Sequence, residues 1–76
     1  MNDKRRELLT KAALHLDQAS AFVVRARDDE QDALDSMPEN LEWSDRYEKM
    51  ETAVEKLDEA LDLIGDASER IAEARV

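Results

Sequence analysis

The second half of the chain carries a regular pattern of apolar residues that predicts a long helix packed on another helix. Steps of three and four residues separate these positions, and Ser68 is the one polar step. This a/d heptad is typical of helices that associate as coiled coils. The apolar positions are Tyr47, Met50, Val54, Leu57, Leu61, Ile64 and Ile71, and beside them runs a column of alanines at Ala53, Ala60, Ala67 and Ala74.

The first half of the chain predicts the partner helix. Leu9, Leu16 and Val23 form one column, seven residues apart. We expect the next seam column to consist of small residues, which would let the two backbones approach closely in an antiparallel pair. These are Ala12, Ala19, Ala26 and Ala33, flanked by Leu8, His15 and Phe22.

Pro38 is expected to end the first helix, since proline disfavours the α conformation at the residue before it and cannot donate a backbone hydrogen bond. We therefore predict an all-α hairpin of two long antiparallel helices in one domain, with a helix at 3–37, a turn at 38–44 and a helix at 45–74. Ser44 is the preferred N-cap of the second helix, and Asn40 is the alternative.

The sequence predicts two further features of this hairpin. Gly65 costs a helix interior about 1 kcal/mol relative to alanine, but the heptad passes through it in phase, which favours a continuous helix. Leu41 and Trp43 are expected to fold back over the closed end of the hairpin.

The size of the chain favours a homodimer. Its 76 residues contain no cysteine, and a core this small rarely supplies more than about 3–5 kcal/mol. We expect two hairpins to form a four-helix bundle. Leu14 and Ala21, seven residues apart and off the seam, could belong to a second interface or could be ordinary exposed apolar residues.

The sequence offers no constellation of catalytic residues, so we expect a protein that is not an enzyme and needs no cofactor. His15 is the only histidine, and we interpret it as a half-buried residue at the helix interface. A metal site in which Glu30 meets Glu48 or Glu51 is a third hypothesis. No apolar run approaches the roughly 18 residues of a membrane span, and no signal peptide is visible, so we expect a cytoplasmic protein without membrane contact.

The charge distribution points to a class of partner. The net charge is −9, of which the first 37 residues contribute −2 and the remainder −7. We predict a partner-binding surface on the outer face of the second helix, together with acids near the turn. The helix residues are Glu48, Glu55, Glu59, Asp62, Asp66, Glu69 and Glu73, and the acids before the turn are Asp28, Asp29, Asp32 and Asp35.

An acidic rod of this kind is unsuited to binding nucleic acid directly, because that needs a basic face. It is suited to a basic protein surface, such as the groove of a nucleic-acid-binding protein, in which it would mimic the phosphate array. One alternative is a solvated face that serves solubility alone. Another is a structural dimerisation or assembly module that acts through its apolar seam.

The central third of the chain resembles a group of small acidic helical-hairpin proteins of phages and mobile elements. The resemblance is carried by residues 28–53, DDEQDALDSMPENLEWSDRYEKMETA, with a Met-Pro-Glu-Asn-Leu turn followed by Ser, an acid, Arg, Tyr and Glu. Trp43 departs from this pattern, in which a small residue is expected. The resemblance implies a mobile-element context and an inhibitor of host defence or of DNA-binding enzymes, similar to anti-CRISPR proteins.

Overall fold

The computed structural model describes residues 1–41 and 44–76, and these form two long helices. Helix α1 spans Asp3–Asp35 and helix α2 spans Asp45–Ala74, with a single 3₁₀ turn at Glu39–Leu41 between them. The helices pack side by side in an extended hairpin that measures 59 × 15 × 13 Å. The predicted all-helical hairpin is therefore confirmed, and the described residues include no strand.

Helix α1 is capped at its start and ends two residues earlier than predicted. The Asn2 side chain accepts a hydrogen bond from the Arg5 backbone N–H at 2.9 Å. At the other end Ser36 is the C-cap, because Pro38 already restrains the backbone of Met37. The Met37 N–H donates to the carbonyl oxygen of Leu34 at 3.1 Å, which closes the last turn.

Ser44 is the N-cap of α2, the position preferred from the sequence. Its hydroxyl accepts a hydrogen bond from the Tyr47 backbone N–H at 3.2 Å and donates one to the Leu41 carbonyl oxygen at 2.7 Å. Leu41 itself remains exposed, contrary to the expectation that it covers the closed end. Trp43, the other residue expected there, lies outside the described residues.

The seam of α2 follows the predicted heptad. Val54 is buried with 7 % of its surface exposed, and the other apolar heptad positions are half-buried. The helix continues through Gly65, whose φ is negative as in the rest of the helix. The heptad therefore outweighs the intrinsic cost of glycine at this position.

The prediction of an alanine column in the α1 seam is wrong. Ala12 is half-buried, but Ala19, Ala26 and Ala33 are exposed. The column beside Leu9, Leu16 and Val23 lies on their other flank and consists of Arg6, Ala13, Ser20, Arg27 and Leu34, all of which are half-buried. Helical spacing allows either column, and the structure selects the one from which Arg27 reaches across to Asp58 of α2.

The structure gives the hairpin two different sides. The two helices are right-handed and antiparallel. A residue that directly follows a seam residue therefore lies on the same side of the hairpin in both helices. The residue just before a seam residue faces the opposite side. We name the first the acidic side and the second the alanine side, because the second carries both alanine rows, Ala12, Ala19, Ala26 and Ala33 of α1 and Ala53, Ala60, Ala67 and Ala74 of α2.

Within the described residues, neither helix contains a stretch apolar enough to cross a membrane.

Candidate protein-binding surface

The predicted acids of α2 form two neighbouring rows along the helix. One row lies on the acidic side, and its members each follow a seam residue: Glu48, Glu55, Asp62 and Glu69. The other row points directly away from α1 and contains Glu59, Asp66 and Glu73. All seven residues are exposed, and at a rise of about 1.5 Å per residue they cover roughly 38 Å of the helix.

The two rows differ in how far basic neighbours neutralise them. Lys56 lies 3.3 Å from a carboxylate oxygen of Glu59, and the Arg70 guanidinium lies 3.9 Å from Glu73. Both bases approach from the alanine side. In the part of the chain that the structure describes, the row on the acidic side makes no ion pair, so it keeps its full negative charge.

The acidic side extends across the groove between the helices and includes acids that the sequence analysis missed. Glu51 and Asp58 each follow a seam residue and line a shallow groove with Arg27, Gln31 and Val54. Their spacing of seven residues was the sequence signal that could have placed both acids on one face of α2. From α1 this side also receives four acids, Glu7, Asp17, Asp28 and Asp35.

Arg27 is the cation in the seam beneath this surface. Its Nε donates a hydrogen bond of 2.8 Å to Asp58, and its guanidinium lies 3.5 Å from Asp28. The hydrogen bond and the attraction of Asp58, with a smaller contribution from Asp28, raise the pKa of Arg27 above its ordinary value. Arg27 therefore links α1 to α2 and neutralises part of the charge of the acidic side.

The predicted acids before the turn do not form one surface. Asp28 and Asp35 follow seam residues and belong to the acidic side, whereas Asp29 precedes Glu30 and belongs to the alanine side. Asp32 points away from α2. All four are exposed, but the turn of the helix separates them, so only Asp28 and Asp35 join the surface formed by α2.

The remaining chemical hypotheses concern His15 and Glu30. The prediction that His15 is half-buried is wrong: it is exposed, and its Nδ1 lies 3.4 Å from the Gln18 side-chain oxygen. Glu30 occupies a half-buried seam position. Among residues 1–41 and 44–76, no three histidine or carboxylate side chains are placed to hold a metal ion.

Comparison of the chain with protein-family models, curated proteins and solved structures gives no match.

Proposed function

We propose that this chain is a non-enzymatic binding protein whose acidic side occupies a basic surface on a protein partner. The observation that supports this is the separation of charge on the hairpin. The acidic side carries carboxylates from both helices, and Arg27, which lines the groove between the helices, is paired with two of them, whereas Lys56 and Arg70 of α2 lie near the opposite side. A face that serves solubility alone usually mixes both signs.

The chemistry of the acidic side suits the groove of a nucleic-acid-binding protein. On α2 its carboxylates from Glu48 to Asp62 follow at steps of three and four residues along a narrow rod 59 Å long, and such a groove presents lysine and arginine to contact phosphates. An inhibitor of host defence encoded by a phage or mobile element fits this chemistry. Binding of this kind is expected to weaken steeply with salt.

The experiment captures the partner and tests the acidic side in one step. The tagged chain is immobilised, incubated with nuclease-treated cell lysate, and eluted in steps of rising NaCl, with the eluted proteins identified by mass spectrometry. We expect a nucleic-acid-binding protein to elute at moderate salt. The double variant Glu55→Gln/Asp62→Asn should weaken this capture about tenfold, the effect of two exposed charge contacts of about 0.7 kcal/mol each.

A matched control is available on α1. The variant Asp29→Asn/Asp32→Asn removes the same number of charges from exposed positions outside the acidic side, and should capture the protein like the wild type. Equal capture by all three chains would overturn the role assigned to α2. Capture of no nucleic-acid-binding protein would overturn the mimicry.

We also propose that the chain is a homodimer in which two hairpins form a four-helix bundle. The hairpin exposes 5934 Å², whereas a folded monomer of its mass is expected to expose about 4,700 Å². The excess of roughly 1,200 Å² for one chain is more than the about 800 Å² that each partner buries in a standard protein–protein interface. This observation also favours the second candidate function, a dimerisation or assembly module.

A further inference from the structure

We propose that two copies of this chain associate through their alanine sides, with α1 of each protomer lying over α2 of its partner. This refines the homodimer proposed above and is independent of the partner that the acidic side binds. The proposal concerns the side that carries the two most exposed of the large apolar side chains within α1 and α2. Phe22 keeps 71 % of its surface exposed and Leu63 keeps 67 %, and each immediately precedes a seam residue.

The register between α1 and α2 within one hairpin determines which residues of two protomers would lie at the same height along the helices. Arg27 contacts Asp58, and the Arg75 guanidinium lies 3.3 Å from the Thr10 hydroxyl; in both contacts the residue numbers add to 85. If the twofold axis that relates the two protomers runs parallel to the helices, each residue keeps its height along the helix axes. This axis also places α1 of one protomer over α2 of its partner. Residues whose numbers add to about 85 then face one another across the interface.

This register brings the exposed apolar residues together. Phe22 meets the partner's Leu63, since their numbers also add to 85. The alanine row of α1 meets the alanine row of the partner's α2 at matching levels, for example Ala26 with Ala60 of the partner subunit. Small side chains allow helix axes to approach to about 8 Å. The alanine rows would therefore let the helices of the two protomers pack closely beside the contact between Phe22 and the partner's Leu63.

The charges at the edges of this interface select the same arrangement. Asp29 faces the partner's Lys56 at the matching level. On the outer edge of α1, Lys11 and Arg25 lie at the levels of the partner's Glu73 and Glu59. An axis perpendicular to the helices would instead place α1 on α1 and α2 on α2, so that each edge would meet charges of its own sign.

The opposite side of the hairpin is a poor surface for a second copy. Leu14 and Val24 are also exposed there, but they lie among Asp17, Asp28 and Asp58. Two such sides would repel. The alanine side carries basic residues instead, of which Lys56 and Arg70 are paired with Glu59 and Glu73 of their own helix. The basic residues on this side are Arg5, Arg46, Lys49, Lys56 and Arg70. An alanine side stacked on another protomer's acidic side would leave Phe22 and Leu63 unpaired and would produce open chains rather than dimers.

The dimensions of the alanine side suffice for a stable dimer. A face of 59 × 15 Å has an outline of roughly 900 Å², against about 800 Å² per partner in a standard interface. Burial of this face by a second copy would also remove most of the excess exposed surface of the single hairpin, which is roughly 1,200 Å².

Sedimentation equilibrium tests the dimer. The wild type should show about 17 kDa, twice the 8.7 kDa of the chain. Phe22→Glu should raise the dimer Kd by about 100-fold or more, as expected for a central apolar anchor. Leu14→Glu, which adds the same charge at a comparably exposed apolar site, should not. Monomers at every concentration, open-ended assembly, or a dimer lost only with Leu14→Glu would each overturn the proposal.

Cross-linking tests the register even if a charged variant fails to fold. The chain contains no cysteine, so single cysteines can be introduced without interference. A mixture of Phe22→Cys and Leu63→Cys chains should form a disulfide-linked heterodimer under mild oxidation. A mixture of Leu14→Cys and Leu63→Cys chains is the control and should not. Linkage in the control alone, or only between identical Phe22→Cys chains, would refute the proposed arrangement.

Discussion

Raising the salt concentration should stabilise the folded hairpin. The carboxylates of α2 follow one another at steps of four and three residues from Glu55 to Glu73, and like charges at this spacing repel along a helix. The Debye length falls from about 30 Å at 10 mM salt to about 3 Å at 1 M. Transfer from 10 mM to 1 M NaCl should therefore remove most of this repulsion.

The size of the stabilisation by salt can be estimated from the number of neighbouring acids in α2. Five like-charge steps at about 0.2–0.5 kcal/mol each destabilise α2 by roughly 1–2.5 kcal/mol. The ion pairs of Lys56, Arg70 and Arg27 oppose this, and salt weakens them too, but exposed pairs contribute at most about 1 kcal/mol and often nothing. A net gain of about 1 kcal/mol raises the melting temperature by roughly 4–8 °C for a domain of this size.

Circular dichroism at 222 nm, recorded at one fixed protein concentration, measures this shift. Urea is the denaturant of choice for a parallel titration, since guanidinium chloride is itself a salt. The control variant Asp62→Asn/Asp66→Asn should melt higher than the wild type at low salt and respond less to added NaCl.

A melting temperature that falls with NaCl would refute the reasoning, because it would mean that the ion pairs outweigh the repulsion among the acids. An equal response of the wild type and the control variant would also refute it. The stabilisation would then arise from a general effect of salt on apolar burial rather than from the charges of α2.

Three further changes test the fold. Gly65→Ala should stabilise the hairpin by up to about 1 kcal/mol in urea unfolding, because a Cβ at this position meets nothing within 4 Å. Ser44→Ala should cost about 1 kcal/mol in the same assay, since it removes the acceptor for the Tyr47 N–H. Val54→Asp should abolish the helical signal at 25 °C, because it places a carboxylate at the buried position of the seam; a folded variant would show that this position does not hold the helices together.

The sequence was sufficient to place α2 but not the face of α1 that packs on it. In α2 the apolar residues occupy both seam columns, so only one orientation buries them. In α1 the Leu9 column has alanines on one flank and a mixed column with Arg27 and Leu34 on the other. Counting apolar residues favoured the alanines, whereas the structure places the mixed column in the seam, where Arg27 gains Asp58 as a partner.

The wrong assignment of the α1 seam also prevented a correct prediction of how charge is distributed over the hairpin. Without the α1 seam, the acids of the two helices could not be assigned to sides, and Asp28, Asp29, Asp32 and Asp35 were grouped because they are close in sequence. The structure separates Asp29 from Asp28, although they are consecutive. The row formed by Glu48, Glu55, Asp62 and Glu69 needed only the α2 heptad, and all four side chains are exposed; its role in binding stays a prediction.

The two proposals assign neighbouring acids of α2 to different tasks. In the proposed dimer the acidic sides face outward on opposite sides of the bundle, so Glu55 and Asp62 remain available to a partner. Glu59 and Glu73 lie instead at the level of the partner subunit's Arg25 and Lys11. Glu59→Gln/Glu73→Gln should therefore weaken dimerisation more than Glu55→Gln/Asp62→Asn, and the reverse should hold for capture of a basic protein. Because a dimer presents two acidic sides, any variant that separates the protomers should also reduce avidity for an immobilised partner while leaving the affinity of each hairpin unchanged.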